Sequence, residues 1–261
     1  MRLPTFYVPH GAGPCFFMEW TRGPADTWAR TEAFLRGLVS TLPERPSAIL
    51  VVSGHWEEPL FTVGAGAAPG LIFDYYGFPE HTYELTFPAP GSPALAGRVR
   101  ELLSQAGIAS AEDPERGFDH GVFVPLKLAI PDADIPVVQL SLRATLDPAE
   151  HIAAGQALAP LRDEGVLIVG SGMSWHNMRG FSPAYTAASA DFDAWLADAV
   201  KDPARLARWA DAPNGRLAHP REEHLAPIFL AAGAAQGERA SPVFRDTVMD
   251  VVVSAFRFGE A

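Results

Sequence analysis

Five short stretches are apolar at nearly every position: Thr5 to Val8 (TFYV), Ala48 to Gly54 (AILVVSG), Ile135 to Leu142 (IPVVQLSL), Gly165 to Gly172 (GVLIVGSG) and Val248 to Phe256 (VMDVVVSAF). A strand that alternates apolar and polar residues keeps one wet face. Strands without that alternation are covered on both faces, as interior strands of parallel sheets are. Between these runs the apolar positions recur at helical spacing. From Ser92 onward, Leu95, Val99, Leu102 and Leu103 form one stripe, with Ser92 as N-cap, Pro93 at the first helical position and Gly107 as the stop. Asp147, Pro148 and Glu150 open a second helix in the same way, and Pro160 kinks or shortens it before Gly165. Strands alternating with helices predict an α/β fold, with a mainly parallel central sheet flanked by helices. No repeat, low-complexity tract or linker divides the chain, so residues 1–261 are expected to form one catalytic domain. The longest loop, Asp74 to Pro93, is long enough to cover a site.

Composition narrows the function. The 261 residues are 48% hydrophobic, enough to bury a substantial core in a single domain. A formal charge of −11 with no Lys/Arg cluster argues against nucleic acid and anionic membranes as partners, and leaves a small ligand. One cysteine, Cys15, excludes an intrachain disulfide framework and a multi-cysteine zinc or iron–sulfur site, and it reads as a small buried hydrophobe. There is no apolar run of about 18 residues, and the first ten residues lack the apolar core of a signal peptide, so a cytoplasmic location is expected.

The eight histidines are unevenly placed. His10 follows the first apolar run, His55 the second, and His176 lies a short turn beyond the fourth. Ligands of open α/β sheets bind outside the carboxyl ends of the strands, so these imidazoles can meet at one point. Imidazole is also the commonest protein metal ligand. The glycines in SGH and SGMSWH allow a backbone to approach a ligand closely. His120, in RGFDHGVFVPL, is expected in a loop that feeds a short helix near Pro125, with Asp119 as a turn former. Glu222 and Glu223 suit the first turn of a helix, which explains their charge but not the histidine that follows, His224. His81, His151 and His219 are expected to be ordinary surface or loop residues.

Taken in order, HGAGP, VVSGHW, YYGFPEHTYELTFPAPGSPALA, RGFDHGVFVPLKLAIPDADIPVVQLSL, GVLIVGSGMSWHNMRG and REEHLAPIF resemble the motifs of class III extradiol ring-cleavage dioxygenases, in the branch similar to DOPA 4,5-dioxygenases. The resemblance runs from Pro4 to Phe258. It implies a non-haem Fe(II) site in the active form, with Zn(II) able to stand in its place, a small catechol substrate, and O2. By motif it makes His10, His55 and His224 metal ligands. His176 corresponds to a further ligand or an acid/base group, and His120 to a group that contacts substrate or dioxygen. Glu223 competes with His224, because the broader superfamily often uses two histidines and one glutamate. Three protein ligands on one face of the metal leave positions for a chelating diol and dioxygen. Catechol hydroxyls lose protons as they chelate, a task for acid/base histidines, here His120 and His176. Two other classes fit parts of the pattern: a zinc-dependent hydrolase, and a non-enzymatic metal-binding relative of the Memo type. Oligomeric state leaves no signature.

Overall fold

The computed structural model describes residues 1–260. Eight strands share one sheet: β1 (Thr5–Pro9), β2 (Ala48–Glu58), β3 (Phe61–Gly64), β4 (Ser110–Asp113), β5 (Val137–Arg143), β6 (Val166–Gly172), β7 (Ala240–Val248) and β8 (Val251–Phe258). Their order is β4-β3-β5-β2-β6-β1-β8-β7. The middle four, β5-β2-β6-β1, run parallel. On one side β3 joins β5 antiparallel and pairs parallel with β4; on the other, β8 joins β1 and β7 joins β8, both antiparallel.

Helices cover both faces: α1 (Ala29–Gly37), α2 (Pro93–Gln105), α3 (His120–Ala129), α4 (Pro148–Leu158), α5 (Thr186–Ala199), α6 (Pro203–Leu206), α7 (Gly215–Ala218) and α8 (Ala226–Ala234). Successive residues of the central strands feed two cores. Leu50, Val52, Leu140 and Ile168 pack with residues of α2, α4, α5 and α8. Ile49, Val51, Leu167 and Val169 pack with α1, α3 and the aromatic residues of the loop after β3. That division is why the strand sequences lack polar alternation. Among the described residues no helix is long and apolar enough to cross a membrane.

The expected helix starts rest on real caps. Ser92 Oγ accepts from the Leu95 N–H (3.2 Å), and the Asp147 carboxylate accepts from those of Ala149 (2.7 Å) and Glu150 (3.2 Å). Helix α4 ends at Leu158 and passes into a 3-10 turn, Ala159–Arg162, that contains Pro160. Cys15 is buried, as expected of a small hydrophobe.

Two expectations need correction. The run Val248 to Phe256 is not one strand: Val248 ends β7, Val251 begins β8, and Met249 and Asp250 form the turn with φ of 47° and 69°. Left-handed residues suit a tight hairpin, but this pair lacks the Asn-Gly signature that announces one. His120 is not in a loop before a helix near Pro125; it is the first residue of α3, and Pro125 lies inside that helix. The proline removes the N–H that would reach the Gly121 carbonyl, and the Ser171 hydroxyl on β6 donates to that carbonyl instead. The breaker therefore becomes a tie between α3 and the sheet.

Candidate metal centre

The carboxyl end of the parallel strands collects the histidines. His10 follows β1, and its N–H donates to the Gly172 carbonyl at the end of β6 (3.1 Å). His55 stays within β2, in the stretch where the pairing with β5 shifts register, and its N–H donates to Ser53 Oγ (3.1 Å). Ser53 Oγ in turn donates to Asp119 (2.7 Å), a fully buried carboxylate that also accepts from Gln139 and from Arg116 (3.0 Å). Asp119 is thus more than a turn former: its donors come from β2, β5 and the loop before α3.

His224 arrives differently, from the turn before α8. Its carbonyl accepts from the Tyr7 hydroxyl (2.6 Å) and the Met173 N–H (3.2 Å), which lays this backbone directly over the sheet. Gly172 makes room for it, since a Cβ there would lie 2.0 Å from the His224 carbonyl oxygen. The close approach that the glycine permits is backbone to backbone.

His55 Nε2 lies 3.3 Å from His10 Nε2 and 3.1 Å from His224 Nε2. Their Nδ1 atoms all face acceptors. His10 Nδ1–H donates to the Gly11 carbonyl (3.0 Å), His224 Nδ1–H donates to Glu223 Oε1 (2.9 Å), and His55 Nδ1 is 3.4 Å from Asp74 Oδ2. An imidazole that donates from Nδ1 keeps its lone pair on Nε2. Burial, reinforced by the facing histidines, holds His10 and His224 well below the ordinary imidazole value, and pushes His55 down to about 3. Three neutral rings therefore turn lone pairs toward one another. A cation at their focus relieves that repulsion, and three nitrogen donors suit iron or zinc.

Around this focus stand two carboxylate-backed histidines. The N–H and Nδ1–H of His120 both donate to Asp74 Oδ1, at 2.9 and 2.8 Å, and the His120 ring centroid is 3.9 Å from that of His55. Burial works against the Asp74 charge, but the His120 hydrogen bonds outweigh it and hold the carboxyl below its usual range. His176 lies flat on His224, with centroids 3.3 Å apart and planes at 15°, and its Nδ1 is 3.3 Å from Glu223 Oε1. Burial opposes the Glu223 charge too, yet the His176 contact brings its net value below normal. Glu223 meets His224 at Nδ1, the nitrogen turned away from the three-imidazole focus.

All five histidines line a cleft of about 900 Å³, with Trp20, Trp28, Tyr75 and Phe78 among its walls. Asp74 escaped the sequence reading because a carboxylate in an aromatic loop carries no periodic signal. Among the other histidines, His81 is exposed, as expected. His151 and His219 are not surface residues: both are fully buried, His151 donating to the Asp147 carbonyl (2.8 Å) and accepting from the Arg143 N–H (3.2 Å).

A metal held on one face by three nitrogens can admit two exogenous ligands at once, the requirement of an oxygenase that brings an organic substrate and O2 together. Comparison with known proteins gives this class its family. Residues 4–256 match the family described as the catalytic LigB subunit of aromatic ring-opening dioxygenase, and the chain belongs to that family. It is similar to the 4,5-DOPA dioxygenase extradiol of Beta vulgaris, 45% identical over 238 residues that cover 88% of this chain and 86% of that protein. Its identity to the Escherichia coli K12 protein of the same name is 39%, covering 91% of this chain and 87% of the relative. To the dioxygenase tasH of Hapsidospora irregularis it is 38%, covering 98% and 85%. The crystal structure of the uncharacterized protein JW3007 from Escherichia coli K12 superposes with a TM-score of 0.77 at 31% identity, covering 99% of this chain and 100% of that one. The chain is an extradiol aromatic ring-opening dioxygenase, and the hydrolase and binding-protein classes give way to it.

Proposed function

We propose that His10, His55 and His224 hold Fe(II), that His120 and His176 move protons, and that the substrate is a catechol with an amino-acid or similarly charged side chain. The observation that carries this reading is the convergence of three Nε2 atoms whose Nδ1 partners each face an acceptor. Bound there, Fe(II) supplies the Lewis acidity and redox chemistry that dioxygen insertion needs. Zn(II) suits the same donors more tightly but lacks redox chemistry, so a zinc-filled protein is expected to be inactive.

The rest of the work belongs to the chain. A chelating diol must shed its hydroxyl protons, and the cleft offers two bases for them. His120, donating from Nδ1 to Asp74, leaves Nε2 free to accept one proton. His176, with Nδ1 against Glu223, is placed to do the same. Each carboxylate stabilises the imidazolium that results, and the protonated ring can return its proton as the aromatic ring opens. The location of His176, flat on His224 and turned to Glu223, favours this role over metal ligation.

The cleft mouth supports the substrate class. Arg30 is paired with Asp246 (2.6 Å), whereas Arg22 has no ion-pair partner among the described residues, and Asp26 and Asp250 also line the cleft. One uncompensated guanidinium with nearby carboxylates suits an α-amino acid tail, as in the DOPA for which several relatives are named. A cytoplasmic setting belongs to the same proposal, supported by the acidic, cysteine-poor composition and testable by fractionation.

Apo-protein reloaded anaerobically with Fe(II) and mixed in air with DOPA, caffeate, protocatechuate and an alkylcatechol tests the reaction. The expected result is about one O2 consumed per ring opened, as the cleft would bring diol and dioxygen together, and a product absorbing in the near ultraviolet or visible. No oxygen uptake with any catechol at full iron loading would overturn the proposal.

A further inference from the structure

His219 takes no part in the proposed chemistry, yet it is fully buried, donating from Nε2 to the Ser174 carbonyl (3.1 Å) while its Nδ1 has no partner among the described residues. Its ring is held edge-on between Phe192 and Trp209, at centroid distances of 5.5 and 6.0 Å. A polar side chain buried in an aromatic slot depends on the hydrogen bond it makes, so what that bond secures matters.

That bond is one of three from consecutive residues. The Leu217 carbonyl accepts from Asn177 Nδ2 (2.8 Å), the Ala218 carbonyl from the His176 N–H (3.0 Å), and His219 reaches back to Ser174. The segment Ser174–Asn177, which carries His176 away from the end of β6, is thereby stitched to residues 217–219. Of the three ties, only that of His219 is made by a side chain of the 217–219 side. It is also the tie seated in the core, because Phe192 and Trp209 fix its ring. Five residues further on, the same strand of chain delivers His224, on which His176 stacks.

We propose that His219 is a positioning residue: by anchoring residues 217–219 to the Ser174 carbonyl, it sets the place of His176 against Glu223 and His224. It touches neither metal ligands nor substrate. The inference rests on the catalytic reading of His176 only where turnover is the measure.

His219→Phe keeps a ring in the slot and removes the donor, whereas His219→Gln restores an N–H near the position of Nε2. Asn177→Ala removes a second tie from the exposed side. In the iron-loaded His219→Phe protein, the His176 amide should exchange with deuterium at least tenfold faster than in wild type. Its kcat should fall about tenfold, with KM and bound metal within twofold of wild type. His219→Gln should recover both exchange and kcat to within about threefold, and Asn177→Ala should speed exchange at the same amide. Wild-type exchange over residues 173–178 in His219→Phe would overturn the proposal. So would equal losses in the Phe and Gln variants accompanied by faster exchange throughout α5, since that pattern means packing alone. His176→Ala, run in parallel, separates the two readings: wild-type turnover there refutes His176 as a base, and the exchange result still decides the role of His219.

Discussion

Asp74 serves two histidines with one carboxylate: Oδ1 takes both donors of His120, and Oδ2 faces Nδ1 of His55. Acceptors behind a ligating imidazole fix its tautomer and raise its basicity, and their loss costs about 10–100-fold in metal affinity or activity. Asp74→Ala is accordingly expected to weaken metal binding by about 10–100-fold. A competition titration against a chromophoric chelator measures it, and unchanged affinity would remove Asp74 from the site. Arg22→Ala carries the substrate prediction. It should raise KM for DOPA by about tenfold, the equivalent of one charge-assisted contact, and change KM for an alkylcatechol much less. Comparable effects on both substrates would mean that Arg22 does not read the tail. At this scale His10, His55 and His176 were legible as the residues that follow apolar runs. His224 and His120 became visible through their motifs, because a turn before a helix and a helix first residue have no positional signature. Asp74 was illegible: what joins it to the histidine cluster is a contact across 46 residues of chain.

Strand β6 ends in Gly-Ser-Gly, and its last residue meets the carbonyl of His224. Gly172→Ala forces a Cβ to within 2.0 Å of that oxygen, so either the strand or the turn before α8 must move. A loss of about 1–3 kcal/mol, typical of overpacking, is expected, together with a fall in bound metal. Urea unfolding and elemental analysis check the pair. Wild-type metal content in a destabilised Gly172→Ala protein would show that His224 does not depend on this contact. The helices at Ser92 and Asp147 were readable because their caps are side-chain hydrogen bonds written into the local sequence. Strands β3 and β4, of four residues each, are too short to display a period. Edge strand β7 contains Pro242, and its hairpin turn uses Met249 and Asp250 where glycine or asparagine would be the signal.

Across the whole molecule, buried neutral histidines couple stability to pH. Burial lowers His151 and pushes His219 down to about 3, and neither belongs to the three-imidazole cluster. In the unfolded chain each regains an ordinary value of about 6.5. Below that pH the unfolded chain binds protons that the folded chain refuses, so stability is full above about pH 6.5 and declines as pH falls toward 3. The urea midpoint of the metal-free protein should therefore drop between pH 7.5 and pH 5, and the slope should be shallower in His219→Gln. A midpoint independent of pH over that range would contradict the burial of these rings. The α/β class was legible from runs of residues buried on both faces. The antiparallel flanks of the sheet were not, because they follow from partners distant in sequence.

The three imidazoles that converge at residues 10, 55 and 224 also set a timetable. A chain made from its amino terminus presents the first two long before the third, and β8, which lies beside β1, comes later still. A ribosome-bound chain thus offers only two of the three imidazoles until most of it has been translated, and domains generally fold as units once enough chain has emerged. On the proposed ligand set, metal loading is then among the last events of biogenesis. Prematurely terminated chains would lack the third imidazole, and with it the cluster that the proposed iron site requires.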